Sequence, residues 1–222
     1  MVSNDLPGSF HPAIAGRERP LVELADAVRG LIDLAVTTAV PASVLGGVAS
    51  DLNALADRLE EGLPDVPFPR FVGREPAAPP DGRAVERAMP FDVVIGRFNP
   101  LALPVRLEID PPRALGRAVF TTPYEGAPGC VHGASIAGAF DIVLTAANMV
   151  AGAAGPTVRL ALRFRRPTLL GTESLFEAWV DKRTDRRIHT SGRLTQNGQV
   201  TVEAEGEFAS LDMEQIASLH RR

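Results

Sequence analysis

The stretch "GCVHGASIAGAFDIVLTAANMV", residues 129 to 150, is almost wholly apolar or small after its histidine, and it stands between segments that alternate apolar with polar residues. That juxtaposition restricts the fold. A helix apolar on all sides must be enclosed by the rest of the chain, whereas a period of two marks strands with one buried face. Before the helix, "VRLEI" (105 to 109) and "GRAVFT" (116 to 121) read as strands. After it, "TVRLALRF" sets Val158, Leu160, Leu162 and Phe164 against Arg159, Ala161, Arg163 and Arg165, which predicts a half-buried strand. Three more strands follow, through Phe176 to Val180, Ile188 to Leu194 and Val200 to Phe208. Their short connections, including "QNGQ" at 196 to 199 with its Asn-Gly hairpin signal, favour antiparallel pairing. The expected class is α+β: an antiparallel sheet wrapped around one buried helix.

Ahead of this domain, residues 20 to 38 place Leu21, Leu24, Ala25, Val28, Leu31 and Ile32 at helical spacing. A second amphipathic helix is predicted from Ser43, read as its N-cap, to about Glu61, with Val44, Val48, Leu52, Leu55 and Leu59 on one face. Each helix has an apolar face that needs a partner. Seven prolines between Pro64 and Pro90 exclude regular structure over most of the next segment, an extended connection. The expected division is a helical extension and Pro-rich connection over 1–90, a domain over 91–212 and a tail over 213–222.

The 45% hydrophobic content of the 222 residues is that of a soluble globular protein. No basic n-region followed by an apolar h-region opens the chain, and the single cysteine, Cys130, admits no internal disulfide; both point to a cytoplasmic protein. A net charge of -4 argues against nucleic acid as a partner. Between Arg159 and Arg193, however, nine basic residues meet four acidic ones, an excess suited to an anionic ligand. A membrane span over 131 to 155 is disfavoured, because Asp141 would sit near the bilayer centre at a cost of roughly 2.5 to 3.5 kcal/mol.

Several motifs fall short. "GASIAG" around Ser135 lacks the nucleophile-elbow spacing, "GAPGCVHG" is not a P-loop, and His11, His132, His189 and His220 are too scattered for a metal site. Cys130 reads as a buried, inert thiol, and Tyr124 and Trp179 as packing residues. Asp141 differs from all of these. An ionised carboxylate in a helix built for burial must be hydrogen-bonded, meet a partner or do chemistry.

The segment "YEGAPGCVHGASIAGAFD" resembles the hotdog-fold thioesterases of the PaaI-like, 4-hydroxybenzoyl-CoA thioesterase superfamily, whose pattern is a Gly/Pro loop, His-Gly-Gly, and an acidic residue nine positions after the histidine, here His132 and Asp141. "TVRLALRFRRPTLLG" resembles the strand that follows in that family, opened by the polar Thr157. The resemblance covers about residues 95 to 210, and the "EGAPG" loop is most similar to the branch of thioesterase superfamily member 4. It implies a hotdog fold, a homodimer or dimer of dimers with a continuous sheet, and acyl-CoA sites at the subunit interface, with no cofactor and no metal. It further implies that backbone N–H groups at Gly133 and Ala134, beside His132, polarise the thioester carbonyl. Asp141, from across the interface, would serve as general base or nucleophile, positioned with its water by Thr157. Arg163, Arg165, Arg186, Arg187 and Ser191 match substrate-contacting positions, and guanidinium groups suit the phosphates of coenzyme A. Two positions depart from the pattern: Ala134 replaces the second glycine, and Gly126 stands where many relatives carry a catalytic asparagine. The competing readings are a hotdog protein that binds acyl-CoA or an acyl carrier without turnover, and a hotdog hydratase or dehydratase.

Overall fold

The computed structural model describes residues 11–68, 82–153 and 155–211. The helices are α1 (Glu18–Thr37), α2 (Ala42–Glu60), α3 (Gly82–Ala88) and α4 (Gly133–Val150), and the strands are β1 (Arg106–Asp110), β2 (Arg113–Val119), β3 (Thr157–Phe164), β4 (Glu173–Arg183), β5 (Arg187–Gln196) and β6 (Gln199–Ala209). One 3-10 turn, Thr122–Tyr124, precedes α4. The strands form one sheet in the order β1-β2-β4-β5-β6-β3, antiparallel throughout. A sheet of this order curled around a single helix is a hotdog fold.

The sheet packs against α4. Phe140 of α4 meets Phe176 of β4 edge-on at 5.0 Å between centroids, and both are fully buried, as are Phe120 and Phe208. Close approach needs glycines on the sheet face: a Cβ on Gly192 would lie 3.2 Å from Phe140 and one on Gly206 2.5 Å from Phe208. α4 ends where Ala151 leaves the helical region and Gly152 takes φ 66°, the left-handed stop that glycine adopts without strain. By length and composition α4 could cross a membrane, yet half of it is buried in this molecule. At the β5–β6 turn Asn197 and Gly198 both take positive φ, 50° and 75°, the hairpin conformation that their sequence predicts.

Several expectations change. α2 begins at Ala42 with Pro41 at the N-cap position, so Ser43 lies inside the helix and no side chain caps it. The short helix α3 interrupts the Pro-rich connection, while residues 69–81 of that connection lie outside the described residues. α4 is not enclosed on all sides, because Ala134 is exposed and Gly138 and Asp141 are only half-buried. β3 is half-buried only in its middle: Leu160 and Leu162 pack on the core as the alternation predicts, whereas Val158 and Phe164 at its ends are 51% and 55% exposed. β3 is the last strand of the sheet, and among the described residues no strand pairs with its outer edge. Of the N-terminal helices, α1 is tied to the domain through buried Ala25 and through Arg29, whose guanidinium donates to the carbonyls of Arg97 at 3.1 Å and Asn99 at 2.7 Å. α2 has no buried residue.

Candidate functional site

α4 starts in a loop that folds back on itself. Glu125 pairs as a β-bridge with Val131, and its carboxylate accepts the Gly129 N–H at 2.6 Å. The turn this makes delivers His132 as the N-cap residue of α4, with extended backbone (φ -63°, ψ 134°). Its ring Nδ1 accepts the Ala134 N–H at 3.0 Å, and its carbonyl accepts the N–H of Ser135 at 3.0 Å and of Ile136 at 3.2 Å. The unsatisfied donors of a helix N-terminus are thereby reduced among the described residues to the Gly133 N–H. Of the two expected carbonyl-binding groups, Ala134 is therefore engaged in this conformation and Gly133 is open. The reason is the capping histidine, whose ring does what a serine or aspartate cap does elsewhere.

Gly133 opens onto a groove of about 670 Å³ whose walls include His132, Ile136, Phe164, Arg165 and Arg166. The Phe164 ring lies over Gly133, near enough that a Cβ there would stand 3.2 Å from its Cζ. Cys130 also lines the groove and is only half-buried, a correction to the buried thiol expected. Tyr124 packs edge-on against Phe120 at 5.6 Å, and burial raises its hydroxyl above the ordinary tyrosine range. Trp179, by contrast, donates to Asp181 at 3.0 Å, with Arg193 over its ring at 5.9 Å.

Asp141 lies two turns further along α4. Its Oδ1 accepts the Thr157 hydroxyl at 2.6 Å. Strict alternation would put Thr157 on the face of Arg159, pointing away from α4. The register with β6 shifts between them, however: Thr157 opposes the buried Phe208, whereas Arg159 opposes Glu207. This β-bulge turns the threonine toward the helix. Eight residues separate Gly133 from Asp141, about 12 Å of helix rise, so the open N–H and the carboxylate of one chain cannot both reach one carbonyl.

The expected coenzyme A residues divide in the same way. Arg165 lines the groove beside Arg166, and its guanidinium donates twice to Glu203, at 3.0 and 2.6 Å. Arg163 is exposed on β3. Arg186 is exposed in the β4–β5 turn, Arg187 pairs with Glu207 at 2.7 Å, and Ser191 donates to Asp181 at 2.6 Å. Arg187 opposes Ala209 while Phe164, next to Arg165, opposes Val202, so the two groups stand about 23 Å apart along β6. Phe164, Arg166 and Glu125 are groove residues that the sequence pattern did not single out. Phe164 ends an alternating strand at a sheet edge, the one signal that marked it. Among the described residues, no three His, Cys, Asp or Glu side chains come together as a metal site.

The thioesterase superfamily model matches residues 128–203, from the groove loop through β5 and into β6. A solved thioesterase superfamily protein is 34% identical, over 85% of this chain and 94% of its own, with a TM-score of 0.73. The chain belongs to the thioesterase superfamily. That likeness spans more than residues 82–222 could supply, so it reaches into the N-terminal helices of this superfamily member. The zebrafish thioesterase superfamily member 2 shares the fold, with 20% identity over 59% of this chain and 99% of its own and a TM-score of 0.51. No curated protein matches the chain.

Proposed function

We propose that this superfamily member hydrolyses a fatty or aromatic acyl-CoA to the free acid and coenzyme A, in a site assembled from two copies of the chain. The observation that carries the reading is the pairing of Asp141 with Thr157, set about 12 Å from the open Gly133 N–H. An antiparallel meeting of two β3 edges, where Val158 and Phe164 are exposed, would bring the Asp141 end of one copy to the Gly133 end of the other. The same meeting would join Arg186 and Arg187 of one copy to Arg165 of the other.

In that site the Gly133 N–H and the positive end of the α4 dipole stabilise the oxyanion as water adds to the thioester carbonyl. Asp141 takes the proton from that water, with Thr157 fixing the carboxylate. The tetrahedral intermediate collapses with cleavage of the C–S bond, and the leaving thiolate takes up a proton. Direct attack by Asp141 would instead break the C–S bond and expel the coenzyme A thiolate, giving a mixed anhydride that water then cleaves to the free acid and the carboxylate. Phe164, Ile136 and Val131 offer an apolar wall beside the carbonyl position, and Arg165 and Arg166 a place for phosphate.

The test is thiol release over acyl-CoA esters of graded length, with Asp141→Ala as the blank. Hydrolysis by the parent that is lost in Asp141→Ala supports the reading, and equal rates remove its basis. The occupied Ala134 N–H favours one alternative, a protein that holds the ester without cleaving it. Tight binding of an acyl-CoA by the parent with no thiol release would establish that alternative.

A further inference from the structure

α2 is a 19-residue helix with no buried residue, although it carries an apolar stripe. Val44, Val48, Leu52, Leu55 and Leu59 are each between 39% and 58% exposed. Helices of this kind bury their stripe against something, and none of the described helices and strands makes an extensive contact with α2. Its neighbour α1 is anchored on the domain through Arg29, and the short link from Thr38 to Pro41 leaves the helical conformation before α2 begins.

From these features we infer that α2 pairs antiparallel with α2 of a second copy, about a two-fold axis beside Leu52. The first ground is the pattern itself. Positions 44 and 59, and positions 48 and 55, lie equally far from the midpoint between Asp51 and Leu52. An isologous contact requires residue i to meet j wherever j meets i. In the antiparallel pair Val44 meets Leu59 of the second copy, Val48 meets Leu55, and Leu52 lies near the axis. The stripe continues outward in the same symmetry, since exposed Val40 before the helix matches exposed Leu63 after it.

The second ground is charge. α2 has no acidic residue in its first turn and no side-chain cap, and its end carries two glutamates, Glu60 and the C-cap Glu61, against one arginine, Arg58. Those carboxylates oppose the helix's own dipole. Antiparallel pairing sets them beside the uncapped N-terminus at Ala42 of the other copy, where the dipole favours them.

The third ground is area. With Leu45 the stripe and its extensions bring eight apolar side chains from each copy, each between 39% and 70% exposed. At roughly 70 Å² each the two copies bury about 1,100 Å², past the ~1,000 Å² that a specific contact needs. This contact is separate from the β3 edge and does not depend on the proposed activity, which thiol release tests independently.

The experiment is cross-linking of the full chain in a Cys130→Ser background, with a bis-maleimide matched to the about 8–10 Å between packed helix axes. Leu52→Cys is expected to give covalent pairs. Leu59→Cys alone is expected to give none, because its two copies lie at opposite ends, about 22 Å apart. Mixing Val44→Cys with Leu59→Cys restores the link. Leu52→Asp with Leu55→Asp is expected to halve the assembly mass in light scattering; these side chains touch no core, so folding is retained. Absent links at Leu52→Cys, links at Leu59→Cys alone of equal yield, or an unchanged mass in the double variant would each overturn the inference. So would links that form only when anionic vesicles are added.

Discussion

Replacing Thr157 with valine isolates one bond. Valine is nearly isosteric with threonine, so the bulge and the strand pairing are kept while the 2.6 Å hydrogen bond to Asp141 is lost. A hydrogen bond to a charged group contributes roughly 1.5–3 kcal/mol. Asp141 is only half-buried and regains water when the hydroxyl goes, which places the loss at the low end, about 1.5–2 kcal/mol. If the carboxylate must be held to take the proton from water, that energy enters the chemical step, and kcat falls about tenfold to thirtyfold. KM stays near the parent value, because Thr157 contacts the carboxylate and not the ester. Thr157→Ser keeps an oxygen in place and restores most of kcat. The assay is thiol release at saturating acyl-CoA, beside thermal melting to confirm that Tm falls by no more than the about 3–8 °C that the lost bond alone would cause. A Thr157→Val protein with parental kcat, or one whose loss Thr157→Ser does not recover, would show that the bond has no part in catalysis.

Three further outcomes follow from the packing. Glu177, with a side chain 10% exposed, holds Arg113 at 3.3 Å and Arg193 at 2.6 Å; Glu177→Ala is expected to cost about 1–2 kcal/mol, discounted for the half-exposed arginines and read as a lower denaturation midpoint at unchanged m-value. Gly206→Ala is expected to cost about 1–3 kcal/mol, because its Cβ would stand 2.5 Å from the Phe208 ring and 3.1 Å from Leu144 in a fully buried site; an unchanged melting curve would contradict that packing. The raised Tyr124 hydroxyl binds its proton more tightly folded than unfolded, so its contribution is whole below pH 10, the ordinary tyrosine value, and is lost as pH rises through the folded value. Tyr124→Phe, which keeps the ring on Phe120, is expected to lessen the alkaline loss of stability measured by denaturant titration above pH 10.

The sequence by itself determined the elements and their kind. Period two from Val200 to Phe208 and the Asn197-Gly198 signal specify a hairpin because alternation and turn chemistry are local properties. The apolar stretch around Phe140 specified a core helix for the same reason, and the Gly/Pro loop with His132 and Asp141 made the family legible as a pattern of spacings. What the tertiary structure decided is which groups face each other. Alternation puts Thr157 on the outer face, and only a bulge set by pairing with Phe208 turns it to Asp141. The open donor proves to be Gly133 and not Ala134, because His132 folds back to cap its own helix. β3 reads as half-buried from Val158 to Phe164, but its place in the sheet is a long-range outcome, and at the edge only Leu160 and Leu162 pack on the core while Val158 and Phe164 stay exposed. The exposed stripe of α2 shows the same limit: periodicity tells a helix that it needs a partner, and only the assembled fold shows that none of the described elements buries it.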